Sequence, residues 1–176
     1  MIKGKKLNLR AIERTDMQKM TKWANDPDLR NFVGPQFPVS MYEEEAWFDR
    51  LTRNEFRKAL IIETKQQEAI GYVYIDLDWV NRKAQLSMAI GEKDYWDKGY
   101  GTEVVQIALN HCFNEVNMNK VYLYVFEFNK SAVRLYEKCG FKKEGLIRQD
   151  YLIHGKYEDR IIMGILKKEF SAKISE

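Results

Sequence analysis

In KLNLRAI, Leu7, Leu9 and Ala11 alternate with polar neighbours, the period of a half-buried strand. The period then changes. Met17, Met20, Trp23 and Ala24 fall at helical spacing, with Thr15 and Gln18 as a capping box and Pro27 at or beyond the end. DPDLRNFVGPQFPVS, residues 26–40, holds all three prolines and a glycine and reads as a loop. Ser40 and Glu43 form a second capping box, opening a helix in which Tyr42, Ala46, Trp47 and Leu51 share a face. KALIIET and AIGYVYIDLDW read as strands joined through the polar KQQE, and VNRK turns the chain into a third strand, AQLSMAIG.

After the loop EKDYWDK a helix is predicted from about Gly99 to Val116, with Val104, Val105, Ala108, Leu109 and Cys112 as one apolar stripe. KVYLYVF is a strand, and NKSAVRLYEKCGF is a helix stopped by Gly140. GLIRQDYLIHGKYEDRIIMGIL reads as two strands turning at His154–Gly155. The order β-α-α-β-β-β-α-β-α-β-β combines hairpins with one β-α-β crossover. It predicts an α/β (α+β) fold, a mixed sheet with helices on its faces.

Composition narrows the partners. The 176 residues suit a single domain spanning 1–176. The formal net charge is +3, with acidic and basic residues interleaved and no basic block, which argues against nucleic acid. The apolar runs are too short to span a bilayer, and MIKGKKLNLR lacks the apolar stretch of a secretory signal, so no membrane is expected. Cys112 and Cys139 have no metal-ligand spacing, which fits a cytoplasmic chain with reduced thiols and no metal. His111 and His154 have no partner at ligand spacing and are read as structural or solvent-facing. A homo-oligomer is left open.

The candidate chemistry starts at YWDKGYGTEVV, where Gly99 and Gly101 precede a helix although glycine weakens helices. A helix N-terminus offers unpaired N–H groups to an anion. A P-loop is excluded because Gly-Lys-Ser/Thr is absent, and a dinucleotide fingerprint because Val104 replaces its third small residue. Two readings stay open on spacing: a pyrophosphate held by the N–H groups of Asp97 to Thr102 with help from Lys98, or a helix start that merely tolerates glycine.

YWDKGYGTEVV followed by NKSAVRLYEKCGF resembles the GNAT superfamily of N-acetyltransferases, and the resemblance covers nearly the whole chain. The first segment resembles the acetyl-CoA pyrophosphate loop of that superfamily, and the second its Asn…Ala…Leu-Tyr…Gly-Phe segment. LNLRAIERTD, LYEKCGF and HGKYEDRIIMGIL are similar to the branch of ribosomal-protein N-terminal and spermidine N-acetyltransferases. The resemblance implies a GNAT-like fold and acetyl-CoA as co-substrate. It implies pantetheine beside Met88, Ala89 and Ile90, and pyrophosphate on Asp97, Lys98, Gly99, Tyr100, Gly101 and Thr102. Asn129, Ser131 and Arg134 would line the far wall. Trp96 stands where the family has Arg or Gln.

Acyl transfer to an amine needs a deprotonated nitrogen, a donor to the oxyanion and a proton for the leaving thiolate. The resemblance makes Tyr136 the general acid. Backbone N–H near Ala89 or Ile90 is the oxyanion donor. Because Ala132, Leu135, Tyr136 and Cys139 share one helical face, a core role competes for Tyr136. Spermidine acetyltransferases typically carry a glutamate where this chain has Gln85. Asp76 and Asp78 are the next candidates for base, against a reading as solvated sheet-end carboxylates, and a water chain is the other route. Glu43–Glu45 reads as a solvated helix start favoured by the dipole, or as a patch attracting a polyamine. The expected function is acetyl transfer to a primary amine, a polyamine or other small molecule. A peptide N-terminus and an inactive CoA-binding module are the alternatives.

Overall fold

The computed structural model describes residues 1–33 and 37–174. Its centre is one eight-stranded sheet: β1 (Ile2–Lys3), β2 (Leu7–Ala11), β3 (Arg57–Thr64), β4 (Ala69–Asp78), β5 (Lys83–Ile90), β6 (Lys120–Phe126), β7 (Lys142–Ile153) and β8 (Lys156–Leu166). The spatial order is β1-β2-β3-β4-β5-β6-β8-β7. Neighbours run antiparallel except β5 and β6, which the crossover helix α4 (Tyr100–Asn110) connects in parallel.

Helices cover both faces. On one lie α1 (Met17–Asn25), α2 (Pro27–Val33) and α3 (Met41–Thr52), whose Met17, Met20, Trp23, Leu29 and Phe48 pack with Ile61 of β3. On the other, α4 and α5 (Lys130–Cys139) join the larger core with Val73, Leu86, Leu123 and Met163. The predicted stripe Val104, Val105, Ala108, Leu109 and Cys112 is buried throughout. The helix continues past Asn110 as a π-turn, His111–Glu115, that buries Cys112 and Phe113. A last helix, α6, spans Lys167–Ile174.

Several local expectations are corrected. The loop over residues 26–40 contains α2: Asp26 Oδ1 accepts from the Asp28 N–H, and Pro27 occupies the first helical position, where a missing N–H costs nothing. Residues 34–36 of that stretch lie outside the described residues. Ahead of α1 a 3₁₀ turn at Arg14–Asp16 is capped by Asp16, whose Oδ2 accepts from the Glu13 N–H at 2.8 Å, in place of the expected Thr15–Gln18 box. Asp16 is better placed because Arg10 donates to both of its oxygens at 2.7 Å and to Glu63 at 2.6 Å, tying the helix start to β2 and β3. Burial pushes the Asp16 carboxyl up, but the Arg10 hydrogen bonds prevail and hold it below the usual range.

Leu109 is fully buried between α4 and the sheet. Leu109→Ala is expected to destabilise the fold by roughly 2–5 kcal/mol, the cost of lost burial and a residual cavity. Thermal denaturation checks this, and a wild-type melting temperature would contradict the packing.

Candidate active site

The parallel β5–β6 ladder is short. It pairs Lys83, Ala84 and Gln85 with Lys120, Val121 and Tyr122 and stops. Beyond it β5 stays with β4, from Leu86 opposite Ile75 to Ile90 opposite Gly71. β6 stays with β8, from Leu123 opposite Met163 to Phe126 opposite Arg160. The two strands therefore part like a V. Backbone groups on its inner edges lack a ladder partner, and a buried unpaired amide is costly, so such an edge suits a ligand that supplies its own amides.

The loop leading into α4 sits at the mouth of this V. Asp97 (φ 55°) and Gly99 (φ 83°) both adopt left-handed conformations around Lys98. Alternation of this kind turns successive N–H groups toward one side as a concave anion nest. Among the described residues, none of the N–H groups from Asp97 to Thr102 donates a hydrogen bond, and Lys98 has no ion-pair partner. A side chain at Gly99 would meet open space, so its positive φ is what requires glycine there.

Gly101 is small for a different reason. A Cβ there would stand 2.8 Å from Leu135 Cδ1 and 3.8 Å from Met88 Cε. Splayed β5, the first turn of α4 and α5 thus converge on one point, bringing Met88, Gly101 and Leu135 together. Cys139 Sγ, 3.9 Å from the Thr102 carbonyl, adds a second link between the two helices.

Trp96 anchors the loop. Its indole N–H donates to the Ile90 carbonyl at 2.8 Å, and its ring packs beside the α1–α3 cluster. The Ile90 carbonyl is thereby engaged within the protein. Gly91 donates to the Ile70 carbonyl, so by the alternation of an antiparallel ladder Ala89 opposite Tyr72 also faces β4, and the inner edge is offered by Met88 and the Ile90 N–H. Asn129 is the N-cap of α5, its side chain accepting from the Ala132 N–H at 3.1 Å. Ser131 and Arg134 are exposed on the same helix, and Arg134 has no ion-pair partner among the described residues.

Tyr136 is 9% exposed, with its ring edge-on to Phe141 at 5.7 Å. Burial, reinforced by Cys139, pushes its phenol up to about 12. It keeps its proton at neutral pH and is a donor, with no hydrogen bond to another described residue. Burial also pushes the Cys112 thiol up to about 12, which leaves it a poor nucleophile.

The two aspartates lie on the opposite face, where α1–α3 pack. Asp76 takes both oxygens to Arg57, at 2.5 and 2.8 Å. Asp78 accepts from the backbone and side chain of Asn81, which hold its carboxyl below the usual range, with Lys83 3.6 Å away. Gln85 stands opposite both Asp76 and Tyr122.

A profile of the acetyltransferase (GNAT) domain matches residues 6–142. The chain belongs to the GNAT acetyltransferase family. The spermidine N(1)-acetyltransferase of Vibrio cholerae is 29% identical, over 93% of this chain and 95% of its own. The crystal structure of spermidine N-acetyltransferase from that organism in complex with CoA and spermine aligns with TM-score 0.89 at 28% identity, over 94% of this chain and 98% of its own. A dodecameric structure of the Vibrio cholerae enzyme in an intermediate state aligns with TM-score 0.84 at 28% identity, over 96% and 98%. This GNAT chain is an N-acetyltransferase, and acetyl-CoA is its acyl donor. The free nest at Asp97–Thr102 and the unpaired edge of β5 fit a diphosphate joined to an amide-bearing arm. When bound, acetyl-CoA supplies the activated acetyl thioester.

Gly101→Val is expected to weaken acetyl-CoA binding by about tenfold or more. Because the new side chain also meets Leu135, Gly101→Val combined with Leu135→Ala separates the two effects. The double variant should recover melting temperature while calorimetry still shows weak binding. Wild-type affinity in folded Gly101→Val would contradict this placement of the diphosphate.

Proposed function

We propose that this GNAT enzyme acetylates a primary amine of a small polyamine. Support for the acceptor comes from relatives named for spermidine that align over nearly the full chain. The convergence of Met88, Gly101 and Leu135 beside the V is the observation that carries the donor half. In this reading N–H groups from Asp97 to Thr102 hold the diphosphate, helped by Lys98 and flanked by Arg134 and Ser131. The backbone of Met88 pairs with the pantetheine arm, while Ala89 is held by β4 opposite Tyr72. The Ile90 N–H donates to the oxyanion, and Tyr136 protonates the departing thiolate. Asn129 serves by capping α5, which fixes the helix that carries Tyr136.

Asp76 and Asp78 are not assigned the role of base, because their oxygens are committed to Arg57 and to Asn81. The amine's proton is left to solvent. Trp96 gives no reason to infer a lost activity, since it fastens the loop that presents the nest. The same proposal takes residues 1–176 as one acetyltransferase domain working in the cytoplasm and assembling as a homo-oligomer. A dodecameric relative supports the assembly. Among the described residues, no helix is long and apolar enough to cross a membrane.

The test is release of CoA thiol over a panel of polyamines, amino sugars, aminoglycosides and peptide N-termini. Turnover selective for polyamines is expected, and turnover confined to peptide N-termini would overturn the acceptor. Tyr136→Phe keeps the ring and its packing. It should lower kcat by about 10²-fold or more, in the range of a lost general acid. Acetyl-CoA affinity and melting temperature should hardly change, as for an interaction made in the transition state. A stable, cofactor-binding variant with wild-type kcat would remove Tyr136 from the mechanism.

A further inference from the structure

The acidic run Glu43–Glu45 at the start of α3 has no common role. Glu43 is spent on the helix cap, where its carboxylate accepts from the Ser40 N–H at 2.8 Å and the Ser40 hydroxyl at 2.7 Å. Glu44 is half-buried and faces the sheet. Among the described residues it makes no hydrogen bond and no ion pair. Desolvation, and secondarily the like charge of Glu43, push its carboxyl up.

Glu44 shares a face of α3 with Trp47, three residues on, and Trp47 packs with Tyr72 and Tyr74 of β4. The charge of Glu44 acts on Tyr72 and Tyr74, whose ring centroids are 4.8 Å apart. Trp47 sits 5.6 Å from Tyr74, and Trp23 of α1 sits 6.3 Å from Tyr72. The two tyrosines share their face of β4 with Asp76, and the ladder places Ala89 opposite Tyr72 and Ser87 opposite Tyr74. Both partners belong to the splayed part of β5. This aromatic floor therefore borders the V from the side opposite α4 and α5.

Two other charges near this floor are matched. Arg57, whose guanidinium lies 5.8 Å from the Tyr74 ring, is neutralised by Asp76. Arg160, 4.9 Å from the Tyr124 ring on the other limb of the V, pairs with Asp150. Glu44, by contrast, has no matching cation among the described residues. A half-buried carboxylate beside electron-rich rings is a site for an ammonium group, which gains charge attraction and cation–π contact together.

We propose that Glu44, with Tyr72 and Tyr74, binds a cationic nitrogen of the acceptor, so that the enzyme selects di- and polyamines over monoamines. The inference rests on the acetyltransferase reading and adds the residue that sets acceptor choice. A polyamine has several nitrogens. The reacting one must lose its charge at the V, while another stays protonated against Glu44. Anchoring one end converts the attack of the other into a near-intramolecular event.

The experiment is calorimetric binding of spermidine, putrescine and n-butylamine to the CoA-loaded protein, for wild type, Glu44→Gln and Glu44→Asp, with acetyl-CoA turnover in parallel. Wild type should bind spermidine and putrescine at least about tenfold tighter than n-butylamine. Glu44→Gln should lose that preference, and Glu44→Asp should keep part of it, with CoA affinity and melting temperature unchanged in both. Absence of spermidine binding to wild type, or equal binding to Glu44→Gln, overturns the proposal. So does an effect of Glu44→Gln confined to kcat and its pH profile, which would make Glu44 a base. Glu44-dependent spermidine binding without thiol release from any amine would overturn acetyl transfer and leave this site standing. Spermidine turnover with Glu44-independent affinity would do the reverse.

Discussion

The parting of β5 from β6 after three residue pairs is the constraint on which the site depends. Each strand has a stronger claim on its other side, β5 on β4 and β6 on β8, and both of those ladders run antiparallel over most of their length. The parallel contact gives way first, at Gln85 and Tyr122. What opens is a cleft with backbone edges inside it, reached from one face by α4 and α5 and from the other by α1 and α3. In the proposed reading acetyl-CoA enters from the face of α4 and α5, and the amine reaches its thioester from the face of α1 and α3.

Around that opening, the packing that shapes the site also stabilises the fold. Gly101 lets Leu135 come close to the first turn of α4, and Trp96 fastens the incoming loop to Ile90. The two left-handed residues, Asp97 and Gly99, keep the N–H groups of the loop away from their neighbours' carbonyls. The unpaired donors are sustained by contacts a few residues away, and the proposed diphosphate would recover their cost.

Much of this was legible in the sequence, and the exceptions have physical causes. The strands around the centre announced themselves by alternation, and α4 by its apolar stripe, because burial on one face leaves a period. β1 is two residues long and α6 follows β8 directly, so neither leaves a period to read. α2 was hidden by proline, although Asp26 followed by Pro27 is a helix start in its own right. The glycine pair pointed to the loop proposed to hold the diphosphate, but spacing could not reveal that Gly101 also faces Leu135. Glu44 was legible only as one member of an acidic run that could attract a polyamine. Three consecutive glutamates look alike on paper, and only the way α3 lies over β4 tells the capping residue from the one that faces Tyr72 and Tyr74.

Hydrogen–deuterium exchange with and without acetyl-CoA tests the central claim most directly, because it reads the backbone amides themselves. Binding should protect two separate segments, residues 86–90 on the inner edge of β5 and residues 97–102 at the start of α4. The β7–β8 hairpin and α6 should be unchanged. Protection absent from both segments in a protein that binds acetyl-CoA would show that the cofactor lies elsewhere and that the V between β5 and β6 is not its cleft.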